Sequence, residues 1–301
     1  MRRWFTALAV LAVAGVALTG CGNPGGVDGD LTDDWPGIGQ PQPFVPAAGV
    51  CHLEFAETAT LAAYEPVDCA GTHQVETVHV GTFTAAAAGL PAPPARDSAE
   101  FRPAYTECDG KATEYAGDQW RHGRLWLGVA VPSETAWTGG ARWFRCELRE
   151  VVDVEDNGAP ASRQANLRGA LTEASPLRLT CYAVKLTRTS TIDSMPPAEC
   201  AKQHNGEFVG VWQAPADLRY PARDSDWARF YTECYNVLAK YVGVPTDRNL
   251  RARAGVVTLP ASESDWRVGN RGVRCYLWIS DAKFTRSLKG AGNAGLPVRR
   301  G

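Results

Sequence analysis

The chain has 301 residues, with 31 Lys and Arg against 33 Asp and Glu, a net charge of −2 and 45% hydrophobic residues. That near-neutral balance excludes a protein that coats nucleic acid or an anionic membrane surface by charge, so no nucleic-acid partner is expected. Arginine outnumbers lysine 25 to 6, but the arginines are interspersed with acids rather than gathered on one face.

Residues 1–20 read as an export signal. Arg2 and Arg3 supply the positive start, and Trp4 to Leu18 is an apolar run too short to remain as a stable span. Leu18-Thr19-Gly20-Cys21 resembles a bacterial lipobox. The resemblance implies a lipid (palmitate) on Cys21 and a membrane partner reached through it, with the chain exported and anchored to the outer face of the cell membrane. Residues 21–48 follow as a flexible tether. They carry Gly, Pro and the acids Asp28, Asp30, Asp33 and Asp34, with too little apolar surface to offset the entropy of ordering them.

The remaining chain suits two domains, and a repeat marks them. Cys69-Ala-Gly-Thr-His73-Gln-Val-Glu76 returns as Cys200-Ala-Lys-Gln-His204-Asn-Gly-Glu207, 131 residues later. Domain 1 is expected over 49–154, a linker over 155–176, domain 2 over 177–287 and a disordered tail over 288–301. Each domain opens with a strand through its first cysteine, near Cys51–Phe55 and Leu177–Val184. A second strand runs from the repeated glutamate. Period-2 alternation places Glu76, Val78 and Val80 on one face, and Glu207, Val209 and Val211 likewise.

A Pro-rich loop then leads to a helix beginning at Asp97-Ser98 or Asp224-Ser225, good N-cap residues. Phe101, Tyr105, Cys108, Ala112 and Tyr115 share one helix face, as do Trp227, Phe230, Tyr231, Cys234, Leu238 and Tyr241. Gly117 and Gly243 end these helices. A third strand is expected over Leu125–Val131 and Gly255–Leu259, and a fourth over Arg142–Leu148 and Arg271–Trp278. The order β-β-α-β-β predicts an α+β fold of two tandem small domains, each an antiparallel sheet with one packed helix and two disulfides.

Cys21 is assigned to the lipid, and the other eight cysteines form two quartets, Cys51, Cys69, Cys108, Cys146 and Cys181, Cys200, Cys234, Cys275. In an exported chain they are expected to be oxidised. If each quartet closes on itself, three pairings remain per domain. The favoured one joins Cys69 to Cys108 and Cys51 to Cys146, with Cys200 to Cys234 and Cys181 to Cys275.

The first cysteine on a strand, the Cys-x3-His-x2-Glu motif, the helix bearing Cys108, and then Trp137 and Phe144-Arg-Cys146 resemble the septum formation-related domain of actinobacterial membrane proteins and lipoproteins. The likeness covers both domains. It implies an extracytoplasmic, membrane-attached module tied to septation and cell division, and supplies no catalytic residues.

The residues themselves offer one place for chemistry, the His73/Glu76 and His204/Glu207 pairs. A zinc site needs three or four converging ligands, and each copy offers only one shared His and one shared Glu beside oxidised cysteines. No metal, cofactor or catalytic residue is therefore assigned. The pairs are expected instead to brace the strand ends in a cluster with Arg142 and Arg271, each four residues before a fourth cysteine. No Gly-x-Ser-x-Gly elbow and no Gly-rich phosphate loop occurs. Trp137 and Trp266 recur in register and are read as core; Trp120, His122 and Trp126 do not recur and are candidates for a recognition surface. The reading favoured by these residues is a non-enzymatic envelope lipoprotein, binding or scaffolding a divisome, envelope or cell-wall partner. The alternatives are a metal-dependent or acid–base enzyme using the His–Glu pair, and a ligand-sequestering lipoprotein with its pocket between the domains.

Overall fold

The structure, a computed structural model, describes residues 42–154, 158–189, 192–280 and 283–297. The expected export signal, Cys21 and most of the expected tether lie outside these residues. In the first half, β1 (Cys51–His52), β2 (Thr58–Ala59) and β3 (Val75–Thr82) precede α1 (Ala85–Ala88) and the long helix α2 (Arg102–Ala116); β4 (Leu125–Pro132), α3 (Glu134–Thr138) and β5 (Trp143–Glu150) follow. The second half begins with β6 (Cys181–Tyr182), a small hairpin of β7 (Lys185–Leu186) and β8 (Ile192–Ser194), β9 (Pro197–Ala198) and β10 (Gly206–Gln213). It continues with the long helix α4 (Trp227–Val242), α5 (Arg248–Arg253), β11 (Gly255–Leu259), α6 (Glu263–Val268), β12 (Gly272–Trp278) and α7 (Gly292–Gly295).

The sheets run β1-β3-β5-β4-β2 and β11-β12-β10-β6-β9, antiparallel throughout except where β2 joins β4. The fold is the expected α+β arrangement of two sheets, each with one long helix on a face. The helices form where the apolar period placed them: Tyr105, Cys108, Ala112 and Tyr115 are buried on α2, and Phe230, Cys234 and Leu238 on α4, whereas Tyr231, expected on that face, sits one step round the helix and is exposed. Each helix starts three or more residues after the Asp-Ser pair. Ser98 caps the turn that leads to Phe101, and Asp224–Asp226 forms a separate 3-10 turn. Each helix ends on a glycine at φ 83°, Gly117 and Gly243, a left-handed position that favours glycine. A Cβ on Gly117 would also meet the Gly169 backbone at 3.2 Å.

Four expectations change. The disulfides join neighbours in sequence: Cys51–Cys69, Cys108–Cys146, Cys181–Cys200 and Cys234–Cys275. Cys108 and Cys234 tie each long helix to its central strand, while the first bridge of each half ties β1 or β6 to the turn before the motif. The period-2 reading also fails past a bulge. The register of β3 shifts between Thr77 and His79, and that of β10 between Phe208 and Gly210. One extra residue reverses the faces beyond it. Val80 therefore packs away from the helix, beside Ala59 and Trp143, and Val211 stands opposite Arg274.

The end of the tether is ordered: Phe44 packs edge-on against Tyr64, and its carbonyl accepts from Trp143 Nε1 at 2.9 Å. Finally, the linker and the tail belong to the halves they follow. Leu167 and Leu171 are buried in the first core, and Leu288 and Leu296 in the second. Full burial of such a side chain contributes roughly 1.5–3 kcal/mol. The repeat thus runs further than the expected boundaries, through Leu167-Arg-Gly-Ala170 and Leu288-Lys-Gly-Ala291.

Candidate functional site

Both copies of the motif fold into the same closed cluster. Glu76 opens β3 opposite Leu148, on the face that meets α2. His73 precedes it and exchanges two backbone hydrogen bonds with Arg163. Its ring spans two acceptors: Nδ1 lies 2.9 Å from the Gly71 carbonyl, and Nε2 lies 3.1 Å from Glu76 Oε1. The carbonyl and the carboxylate are both acceptors, so each ring nitrogen stands within hydrogen-bond distance of one. The Tyr115 hydroxyl donates to Glu76 Oε2 at 2.9 Å, and the Leu167 amide donates to both carboxylate oxygens at 2.8 Å. Arg163 Nε stands 3.7 Å away.

The second copy repeats this atom for atom. His204 Nδ1 meets the Lys202 carbonyl at 2.8 Å, and its Nε2 meets Glu207 Oε1 at 3.0 Å. Tyr241 donates to Glu207 Oε2 at 2.8 Å, and the Leu288 amide donates to both oxygens at 2.9 and 3.0 Å. Ser287 Oγ, at 3.0 Å, takes the place of the arginine. Side chains of both His and both Glu are 0–2% exposed. Burial pushes both phenols up, with the adjacent carboxylate adding to it, so each tyrosine stays a donor.

This arrangement clamps the segment that follows each domain onto the end of its second strand. The sequence reading found the His and the Glu. It missed the tyrosine hydroxyl and the leucine amide, although Tyr115/Tyr241 and the repeated Leu-Arg/Lys-Gly-Ala were present to be matched.

Arg142 and Arg271 do not join the cluster. Arg142 donates to the carbonyls of Ala88, Trp137 and Ala141 at 2.6–2.8 Å and stacks 4.1 Å over Trp137. Arg271 repeats this with the Leu218 carbonyl and Trp266. The antiparallel register explains the separation. The Phe83 amide donates to the Arg142 carbonyl at one end of the sheet, while Glu76 faces Leu148 at the other. Six residues of strand place the two roughly 20 Å apart.

Cys51 Sγ, a His73 ring nitrogen and a Glu76 oxygen lie within 4.8 Å of one another, as do the matching atoms of Cys181, His204 and Glu207. The donors do not suit a cation: each sulfur is held in a disulfide rather than free as a thiolate, and each carboxylate is already filled by three or four donors.

The first half holds a second buried polar group on the sheet face away from α2. Arg145 Nε lies 2.9 Å from Glu147, Thr77 donates to Glu147 at 3.1 Å, and His52 Nε2 lies 3.2 Å from Thr77. Burial, aided by Arg145, lowers His52 to about 4, and burial pushes the Glu147 carboxyl up against the pull of Arg145 and Thr77.

The halves meet along a polar seam. Arg121 pairs with Asp109 and donates to Asn270 Oδ1 at 2.9 and 2.7 Å, while Arg274 reaches back to the carbonyls of Arg121, Gly123 and Leu125. Trp120 and Trp126, candidates for a recognition surface, are buried here and line a cleft between the halves; His122 packs edge-on against Phe208. No curated protein and no solved structure matches the chain. The septum formation family matches it over residues 48–275, an unbroken stretch that carries both His–Glu pairs and all four disulfides, and the chain belongs to that family.

Proposed function

We propose that this chain is a non-enzymatic binding or scaffolding module of the cell envelope, acting in septum formation. Family membership supports the link to septation. The observation that carries the rest is the closure of both His–Glu clusters: every polar atom with acid–base or ligand chemistry in them is engaged and shielded from solvent. A general base must reach a substrate proton, and here both carboxylates hold backbone instead.

The same reading makes the chain an actinobacterial lipoprotein carrying two tandem septum formation-like domains. It is exported, lipidated with palmitate at Cys21 and held by that lipid at the outer face of the membrane, with a divisome, envelope or cell-wall partner. The lipobox-like Leu18-Thr19-Gly20-Cys21 supports the anchor. Affinity capture with the full-length protein from intact envelope is expected to recover division or cell-wall proteins; recovery of bulk membrane proteins alone overturns the scaffold. Labelling with an alkyne palmitate is expected to mark the wild type and not Cys21→Ser, and label retained by the variant overturns the anchor.

A further inference from the structure

The cleft between the halves has a volume of about 160 Å³, and a cavity of that scale accommodates a single six-membered ring. Trp120 and Trp126 line it from the first half; Trp227, Thr258, Asn270 and Arg274 line it from the second. Arg274 is only 8% exposed. Its Nε and Nη2 are committed to carbonyls of the first half, at 3.0–3.4 Å, while its Nη1 has no hydrogen-bond partner among the described residues. Asn270 is likewise buried, and the two donors of Arg121 fix its Oδ1 toward that arginine, which leaves its Nδ2 without an acceptor among the described residues.

Charge balance makes Arg274 stand out. Arg145, at the matching position of the first half, is neutralised by Glu147 two residues on; the corresponding neighbour of Arg274 is Tyr276. Arg121 has Asp109, while Arg274 has no carboxylate within salt-bridge distance among the described residues. Burial pulls its guanidinium down to about 10, and the groups opposing that fall are phenols. A buried cation with no counter-charge is a liability that a bound anion relieves.

We propose that this cleft binds an acidic sugar. The carboxylate pairs with Arg274 Nη1 and Asn270 Nδ2, the pyranose ring stacks on the indole of Trp227 opposite Trp126, and the Thr258 hydroxyl meets a ring hydroxyl. The mixture of indole faces with hydroxyl and amide groups fits a hydroxylated ring better than a purely aromatic acid. The inference deepens the binding-module reading and rests on it.

The test titrates the full-length protein with sodium glucuronate, reading tryptophan fluorescence and heat, with glucose and benzoate as comparators. Glucuronate is expected to saturate, and both comparators to bind on the order of tenfold more weakly, the loss that follows from removing a charged hydrogen bond or the ring hydroxyls. Leu259→Glu places a competing carboxylate opposite Arg274 on the same sheet face, at the wall of the cleft, and is expected to abolish glucuronate binding in a chain that keeps the wild-type circular dichroism. Arg274→Gln is expected to weaken binding by a similar factor. Absence of saturation, equal affinity for glucose, tighter binding of benzoate, or wild-type binding by a folded Leu259→Glu each overturns the proposal. If partner capture persists while glucuronate fails, the cleft assignment falls and the scaffold stands; if glucuronate binds and capture fails, the reverse holds.

Discussion

On the sheet face away from the long helix, the first half carries His52, Thr77, Arg145 and Glu147; the same four positions of the second half carry Tyr182, Phe208, Arg274 and Tyr276. In the first half this face is closed over by the chain's own Tyr64, which packs against His52 and lies beneath Arg145. In the second half it is aromatic, with Tyr182, Phe208 and Tyr276 edge to face, and it docks on the first half through Arg274 and Phe208. The opposite face, with its disulfide and its His–Glu clamp, is the same in both. The face that holds each half together has therefore kept its chemistry, while the face that meets other surfaces has diverged. A carboxylate at position 147 makes a self-contained polar cluster, and a phenol at 276 frees an arginine to reach across a seam.

If the clamps are equivalent, removing either carboxylate breaks a buried network. Glu76→Ala and Glu207→Ala are each expected to lower unfolding free energy by about 3–5 kcal/mol in urea titrations. Glu76→Ala is expected to cost more, because Arg163 as well as His73 loses a neighbouring carboxylate, with Glu150 left as the only acid pairing with Arg163 among the described residues. A loss below about 1 kcal/mol in either half breaks the equivalence.

The bridges test the halves against chain length. Replacing both cysteines of Cys51–Cys69, which closes 18 residues, is expected to cost about 3 kcal/mol, and of Cys234–Cys275, which closes 41, about 4 kcal/mol. An inverted order would show that local strain, rather than chain entropy, dominates.

A finer distinction lies in the fourth partner of each carboxylate. Ser287→Ala removes one neutral donor to Glu207 and is expected to cost about 1 kcal/mol, with the long helix and the tail remaining docked. Loss of tail protection in hydrogen exchange would make Ser287 the main fastener of the second clamp.

The last effect is one of pH, where two groups oppose each other. Folded His52 titrates near 4 against an ordinary value of 6.5, so between those values the unfolded chain holds more protons and stability falls as pH drops. Glu147, pushed up by burial, acts in the opposite sense, favouring the folded state at low pH and losing that contribution as pH rises. His52→Tyr, which copies Tyr182, is expected to flatten the melting temperature between about pH 6.5 and pH 4. An unchanged slope would place the acid response elsewhere.

The sequence made visible whatever was local or repeated. Apolar steps of three and four revealed both long helices, and the echo of Cys-x3-His-x2-Glu revealed the two halves. It concealed what depends on register. Alternation through Val80 and Val211 could not register a one-residue bulge, and counting back from the fourth cysteine put Arg142 and Arg271 near carboxylates that the antiparallel pairing sets at the far end. Cysteine spacing was compatible with several pairings because similar gaps separate most neighbours. Leu167 and Leu288 were legible as a repeat but sat in stretches whose composition suggested a linker and a tail; their amides, not their side chains, bind the carboxylates, and every residue except proline has such an amide.

Each disulfide joins a cysteine to the next one along the chain, so no bridge crosses another. For a chain delivered N-terminus first into an oxidising compartment, each newly arrived even-numbered cysteine of a quartet finds its native partner as the nearest thiol still waiting. First-come oxidation then yields the native pairing without reshuffling, and the first half is fully stapled before the first cysteine of the second appears. For a chain delivered in that way, assembly would follow order of arrival, with no crossed bridge for an isomerase to correct.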